Sequence, residues 1–348
     1  MSVIKVRLTC GKITGCMETE PNLISSSSPK MIASFATGFN VVANHIQIIL
    51  IPIIFDLFLW FGPHLRIKEL VSPIITAAFK NLTLMGSPEM NDMAQSAQEM
   101  WIIFFNHFNL FSFFRTYPVG IPSLMWIVSP LTNPFGNSQI FELSSILTIA
   151  AVWLGLCLLG LVIGCLYFDI VARFTSDHDN KFSLKGFGFE TSQILLLIII
   201  LFFILAFLTL PVMLVVSLVT LINPFLAQMF LLILILFMLW LILPFVFTPH
   251  GIFTYQQNVL NAFLTSWRMV RFFLPGTALF LILVYLISQG FDLLWRIPPE
   301  NSWMTLVGIA GHAFISTGLL ASSFVYYQGG MRRMQASIKE NELAISKA

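Results

Sequence analysis

Charge is what this chain has least of. Asp, Glu, Lys and Arg make up 10% of its 348 residues, against about a quarter in soluble globular chains. A fold this size would have too little polar surface to stay dissolved. The net charge of +2 offers nucleic acid no electrostatic footprint. Cysteine is scarce as well, and the four present do not read as a disulfide framework. Cys10 and Cys16 lie in a polar N-terminal segment without two further metal ligands nearby. Cys157 and Cys165 sit eight positions apart in an apolar run and read as small packing residues.

Catalytic signatures are missing too. There is no G-x-x-x-x-G-K-[ST] phosphate loop, G-x-S-x-G elbow, H-E-x-x-H zinc helix or C-x-x-C-H haem motif. An intramembrane enzyme would need a paired nucleophile or a metal site, and neither is legible. No catalytic, cofactor-binding or metal-binding residue is therefore assigned. The opening MSVIKVRLTCGKITGC lacks the apolar core of about 7–15 residues that a cleavable signal needs. The first long apolar segment is expected to act as the insertion signal. Inverted repeats of the transporter kind are not legible.

What is present in abundance is apolar length. Hydrophobic residues are 57% of the chain, 35 of them Phe, and the mean hydropathy is +0.87. A bilayer core takes a helix of about 20 apolar residues. The expected fold is all-α, a single membrane domain over residues 31–330 with about six transmembrane helices. Residues 1–30 and 331–348 read as polar tails.

Residues 31–44 have apolar positions at helical spacing and predict an interfacial helix leading into span one, about 41–60, which Phe61-Gly62-Pro63 stops. The connection 64–142 follows. It contains an amphipathic stretch (69–84), an apolar segment too short to span comfortably (100–114), and a loop marked by Pro118, Pro122, Pro130 and Pro134. The 100–114 segment predicts an interfacial or re-entrant helix. The further spans are about 143–168, 194–218, 225–247, 272–295 and 303–327, with Asn223-Pro224 as a turn and Gly329-Gly330 as the end of the last. Span three, nearly all Leu, Ile and Phe, is expected to face lipid. Residues 255–271 form an amphipathic helix whose Trp267, Arg268 and Arg271 suit anionic headgroups.

Loop charges orient the bundle. Thirteen Lys and Arg lie in the two termini and the 2–3 and 4–5 loops, against five in the other connections. That excess places both termini in the cytoplasm. Trp60, Trp295 and Trp303 then fall at the opposite boundary, where an aromatic belt belongs.

An ionisable group at a helix centre in lipid costs about 2.5–3.5 kcal/mol on insertion scales, so each one here needs a reason. Asp56 lies in span one, His312 in span six, and Gln289, Asp292 and Arg296 at the end of span five. Together they form a candidate polar site at the outer mouth. Read functionally, an Asp–His pair can relay protons. Read structurally, Asp56 pairs with His312 or Arg296, and Asp292 with Arg296 at i,i+4.

Weaker candidates remain. Asn40, Asn44, His45 and Gln47 mark the start of span one. Asp177-His178-Asp179 reads as a solvated loop that could hold a cation, and His107 as interfacial. Asn81-Leu82-Thr83 fits a glycosylation pattern that matters only in a secretory pathway. Gly160 with Gly164, and Gly318 with Ser322, are small-xxx-small pairs that permit close helix approach.

The run from Gly38 to Pro63, ending ILIPIIFDLFLWFGP, and the closing GHAFISTGLLASSFVYY resemble the first and last spans of a group of uncharacterised bacterial membrane proteins. NAFLTSWRMVRFFLPG resembles the Ser-Trp-Arg amphipathic helix of the glycerophosphoryl diester phosphodiesterase membrane-domain superfamily. The resemblance covers about a fifth of the chain and implies a six-span bundle with amphipathic elbows. It carries no activity across, since the phosphodiesterase members keep theirs in a separate soluble barrel. Scarce interior charge and a bulky outer segment point to a non-enzymatic accessory or assembly protein of the bacterial cytoplasmic membrane. Its expected partners are the lipid bilayer and another membrane protein. The alternative is a transporter or lipid-handling permease working at Asp56 and His312.

Overall fold

A computed structural model of the chain describes residues 30–85, 88–126, 129–176 and 182–347. Cys10, Cys16 and the Asp177-His178-Asp179 loop lie outside the described residues.

The protein is an all-α bundle. Five helices are long and apolar enough to cross a membrane, and a bent pair makes up to six. The bent pair comes first. Helix α1 (Met31–Asn44) and the stretch Ile46–Phe61, a 3-10 turn continued by α2 (Leu50–Phe61), meet at 89°. The expected first span is thus not continuous. It breaks at His45, whose backbone leaves the helical region (φ −128°, ψ 57°), and whose ring lies 4.3 Å from that of Phe174. Asn40, Asn44 and Gln47 are solvent- or lipid-exposed around the break.

Five long helices follow the connection: α5 (Ile146–Thr175), α6 (Leu184–Ile222), α7 (Pro224–Tyr255), α9 (Leu274–Trp295) and α10 (Thr305–Lys347), with the amphipathic α8 (Val259–Phe272) between α7 and α9. Local chemistry explains several of their ends. Asn223 accepts from the amides of Phe225 (2.9 Å) and Leu226 (3.3 Å), while Pro224 needs no donor partner at the first helical position. Asn258 caps α8 through the amide of Asn261 at 2.9 Å. Pro211, Pro244 and Pro249 lie inside helices, as membrane bundles tolerate. Helix α6 leaves Phe202, Phe203, Phe207 and Leu210 exposed, the pattern expected of a lipid-facing span.

Helix α10 is the hub. Within its apolar window 56% of residues are buried, against 11–18% in the other four spanning helices. It reaches most of the bundle through polar bonds. His312 meets Asp292 of α9 (2.7 Å), Thr317 accepts from the Tyr167 hydroxyl of α5 (2.8 Å), Ser323 bonds His250 of α7 (2.7 Å) and Tyr326 bonds Thr277 of α9 (3.2 Å). Such bonds average about 0.6 kcal/mol each in a membrane bundle, so their main effect is to fix register. Gly329-Gly330 does not end this helix. Glycine inside a helix costs only about 1 kcal/mol, and Met331 and Met334 continue the buried face beyond it.

The connection between α2 and α5 is folded. Helices α3 (Lys68–Met85), which contains Asn81-Leu82-Thr83, and α4 (Pro88–His107) pack as a hairpin, followed by a 3-10 turn at Leu110–Phe114. The apolar stretch expected as one short helix over 100–114 is therefore divided at residues 108–109 between two elements. Strand β1 (His64–Arg66) pairs in parallel with β4 (Ile140–Glu142), and β2 (Thr132–Asn133) pairs antiparallel with β3 (Gly136–Asn137). The proline-marked segment from Arg115 to Trp126 carries no helix or strand, yet it enters the bundle. Val119, Ile121, Ser123 and Leu124 are each at most 3% exposed. We call this segment the plug.

The two small-residue pairs seat different partners. Gly318 and Ser322 take α1, with Gly318 against the Phe39 ring and Ser322 against Gly38. Gly160 takes the end of the 3-10 turn at Phe114, and Gly164 the plug backbone at Val119–Gly120. Close approach is the common need, met on α10 against a helix and on α5 against the plug and the turn before it.

Candidate functional site

Helix α2 buries Pro52, Phe55, Asp56 and Leu59, one face at helical spacing. That face would be a plain apolar stripe were Asp56 not in it. The Asp56 carboxylate is fully buried and meets the tip of the plug. It accepts from the Ser123 hydroxyl (2.5 Å), the Leu124 amide (3.0 Å) and the Met125 amide (3.2 Å). The same tip is held from its carbonyl side by two arginines. Arg296 donates to the Leu124 carbonyl at 2.6 Å and Arg115 to the Ser123 carbonyl at 3.3 Å. A stretch of backbone without secondary structure needs side-chain partners inside a bundle, and these three residues supply them.

His312 lies beside this arrangement. Its Nδ1 is 2.7 Å from Asp292 Oδ1, and its Nε2 is buried without a hydrogen-bond partner. His312 is also within electrostatic reach of Asp56.

Of the five residues expected at the site, Asp56, Asp292, Arg296 and His312 are brought together. Gln289 is exposed and stands outside the cluster. Asp56 takes the plug in place of His312 or Arg296 as its hydrogen-bond partner, and the expected Asp292–Arg296 side-chain pair does not form. Asp292 turns to His312 and Arg296 to the plug. Two participants escaped the sequence reading. Arg115 is stacked over Trp126 at 4.5 Å, and its signal was a lone cation closing a Phe-rich run. Ser123 left no signal, because its role rests on a contact 67 residues away.

The three tryptophans cluster at this end, though not as an open belt. Trp60 is fully buried, donates to the Glu300 carbonyl at 2.9 Å and lies 6.4 Å from Trp303. Trp295 packs its ring on Gly311.

A second polar zone lies at the C-terminal end of α5. Arg173 holds both oxygens of the buried Asp169 at 2.8 and 2.9 Å, and the buried Glu190 accepts from Gln256 at 3.3 Å. Asp169 falls one residue beyond the span end read at Phe168, which hid it. On α8, Arg268 and Arg271 are exposed. A 450 Å³ crevice lined by Trp240, Trp267, Arg271 and Leu274 opens beside them. Cys157 and Cys165 are free thiols, the latter fully buried. His107 bonds its own helix at the Ile103 carbonyl, 3.0 Å away. Among the described residues, no group of three or more His, Cys, Asp or Glu is placed to hold a metal.

The cluster around Asp56 therefore suits two kinds of work. It can hold backbone in place, which its hydrogen bonds already do, or it can pass a proton between carboxylates through His312. No family model, no curated protein and no solved structure matches the chain.

Proposed function

We propose that this chain is a non-enzymatic accessory or assembly protein of the bacterial cytoplasmic membrane, with both termini on the cytoplasmic side. The observation that carries this reading is the occupation of Asp56. Its two carboxylate oxygens take three donors from the plug, so the most buried charge of the site serves as a latch for the chain's own backbone. The helical hairpin α3–α4 fits the same reading. It carries exposed Ile74, Trp101 and Ile103, a surface for a membrane protein partner or for the bilayer. The resemblance to six-span bacterial membrane proteins is part of this proposal. Native mass spectrometry after gentle extraction from the source membrane is the test. A protein partner at fixed stoichiometry is expected, and a chain released without any protein partner would contradict the reading, whatever lipid it carries.

One observation favours a permease instead. His312 Nε2 is buried and unpartnered beside Asp56, while Nδ1 meets Asp292, an arrangement open to proton relay. Purified protein in liposomes with an imposed pH gradient separates the two readings. The accessory reading expects proton-tight vesicles for both the native chain and His312→Ala. A flux that the substitution abolishes would establish the permease.

A further inference from the structure

Arg66 is 8% exposed, and its Nε and Nη2 have no hydrogen-bond partner. Those two atoms carry three N–H donors, and leaving them unpaired is expensive. Its register partner across the parallel strands is Glu142, whose Oε2 is also buried without a partner. Opposite charges sit side by side, and neither satisfies these atoms of the other.

Both side chains line one open cavity of about 760 Å³. Helix α3 supplies most of the remaining wall, including Lys68, Glu69 and Ser72. Lys68 and Glu69 open that helix, where Glu69 lies in the first turn. Burial, with Arg66 beside it, holds the pKa of His64 below its ordinary value.

The position of the cavity identifies its surroundings. Arg66 follows the end of α2 by five residues, and Glu142 precedes the start of α5 by four. Both groups lie just beyond the ends of apolar helices long enough, with α1 bent onto α2, to be read as spans, where a spanning helix meets the headgroup region. A ligand completing the site must accept hydrogen bonds from Arg66 and offer a cation to Glu142. A bare anion satisfies only the first requirement, and an ammonium group only the second.

We propose that this cavity binds a phosphoethanolamine zwitterion, its phosphate on Arg66 and Lys68 and its ammonium group at Glu142 and Glu69. Planar guanidinium suits phosphate oxygens, and Ser72 can add a hydroxyl.

The full-length protein in detergent micelles is titrated with phosphatidylethanolamine and, separately, phosphatidylglycerol, with bound lipid counted by native mass spectrometry. Retention of phosphatidylethanolamine is expected to exceed that of phosphatidylglycerol. Arg66→Gln should weaken it about tenfold or more, the loss of one charge-assisted contact. Should Arg66→Gln fail to fold, Lys68→Gln on the half-buried wall of α3 is expected to weaken retention several-fold. Soluble O-phosphoethanolamine distinguishes the sources. If it displaces the lipid, the site reads the headgroup alone and the zwitterion assignment stands. If it does not, while the lipid preference persists, the acyl chains contribute and the ligand is the membrane lipid. Equal retention of both lipids, or retention unchanged in a folded Arg66→Gln or Lys68→Gln protein, would overturn the proposal.

Discussion

Asp56→Ala is expected to release the plug while the long helices stay assembled. The substitution removes the acceptor of three buried donors at once. An orphaned buried donor costs about 1–3 kcal/mol, and removing one member of a buried charged network costs about 3–5 kcal/mol in all. The damage should be local. The plug has no ladder of its own, so Arg115 and Arg296 would be left holding carbonyls of a segment no longer anchored by its amides. Helix α10 keeps its bonds to α5, α7 and α9 through Thr317, Ser323 and Tyr326. Asp56→Asn retains one acceptor oxygen and should fall between the native protein and the alanine variant. Unfolding in a mild detergent gives the ranking, native above Asn above Ala. Identical stability for all three would remove the latch.

Gly38→Leu is expected to be at least as damaging, through geometry alone. A side chain at residue 38 would fall inside the backbone of Ser322, while Gly318 on the same seam already lies against the Phe39 ring. Neither backbone can yield by rotating a side chain. Overpacking of a tight core costs about 1–3 kcal/mol and more where backbone must move. Leucine is also the better helix former, by about 0.8 kcal/mol or more, so any loss must come from the contact and not from the helix. Helix α1 should lift from α10 and take the Phe35–Phe280 stack, centroids 5.0 Å apart, with it. Gly155 provides the control. Nothing lies within 4 Å of a side chain added there, so Gly155→Ala should be neutral or slightly stabilising. A thermal midpoint of Gly38→Leu equal to that of the native chain would show that α1 does not dock as described.

Spans two to six were legible because membrane helices declare themselves by apolar length alone, a signal that needs no knowledge of neighbours. The amphipathic α8 was legible by its period and its Trp-Arg face. The close-contact glycines were legible as pairs, but not their partners, since a glycine reports only that something comes near. The remainder depends on contacts between distant parts of the chain. The break at His45 has no proline or glycine to announce it. The plug reads as a proline-rich loop, and only the tertiary structure shows that its amides need a carboxylate from α2. Four of the five expected site residues converge because an ionisable group in an apolar run must find polar company. Their pairings differ from expectation because backbone donors of the plug compete for Asp56, and backbone leaves no mark in a side-chain pattern. Glu190 and His250 were not among the expected site residues because they fall four residues before the span read from 194 and three after the span read to 247.

Hydrogen exchange across the plug, measured on protein in lipid nanodiscs, tests the latch most directly. The amides of Leu124 and Met125 donate to Asp56, so their protection reports that contact. In the native chain, peptides covering residues 119–126 should exchange slowly. In Asp56→Ala they should exchange about 100-fold faster, the equivalent of about 3 kcal/mol, while peptides from residues 309–324 of α10 stay protected. Unchanged protection at residues 119–126, or equal loss along α10, would contradict a carboxylate that acts as the latch of this membrane protein.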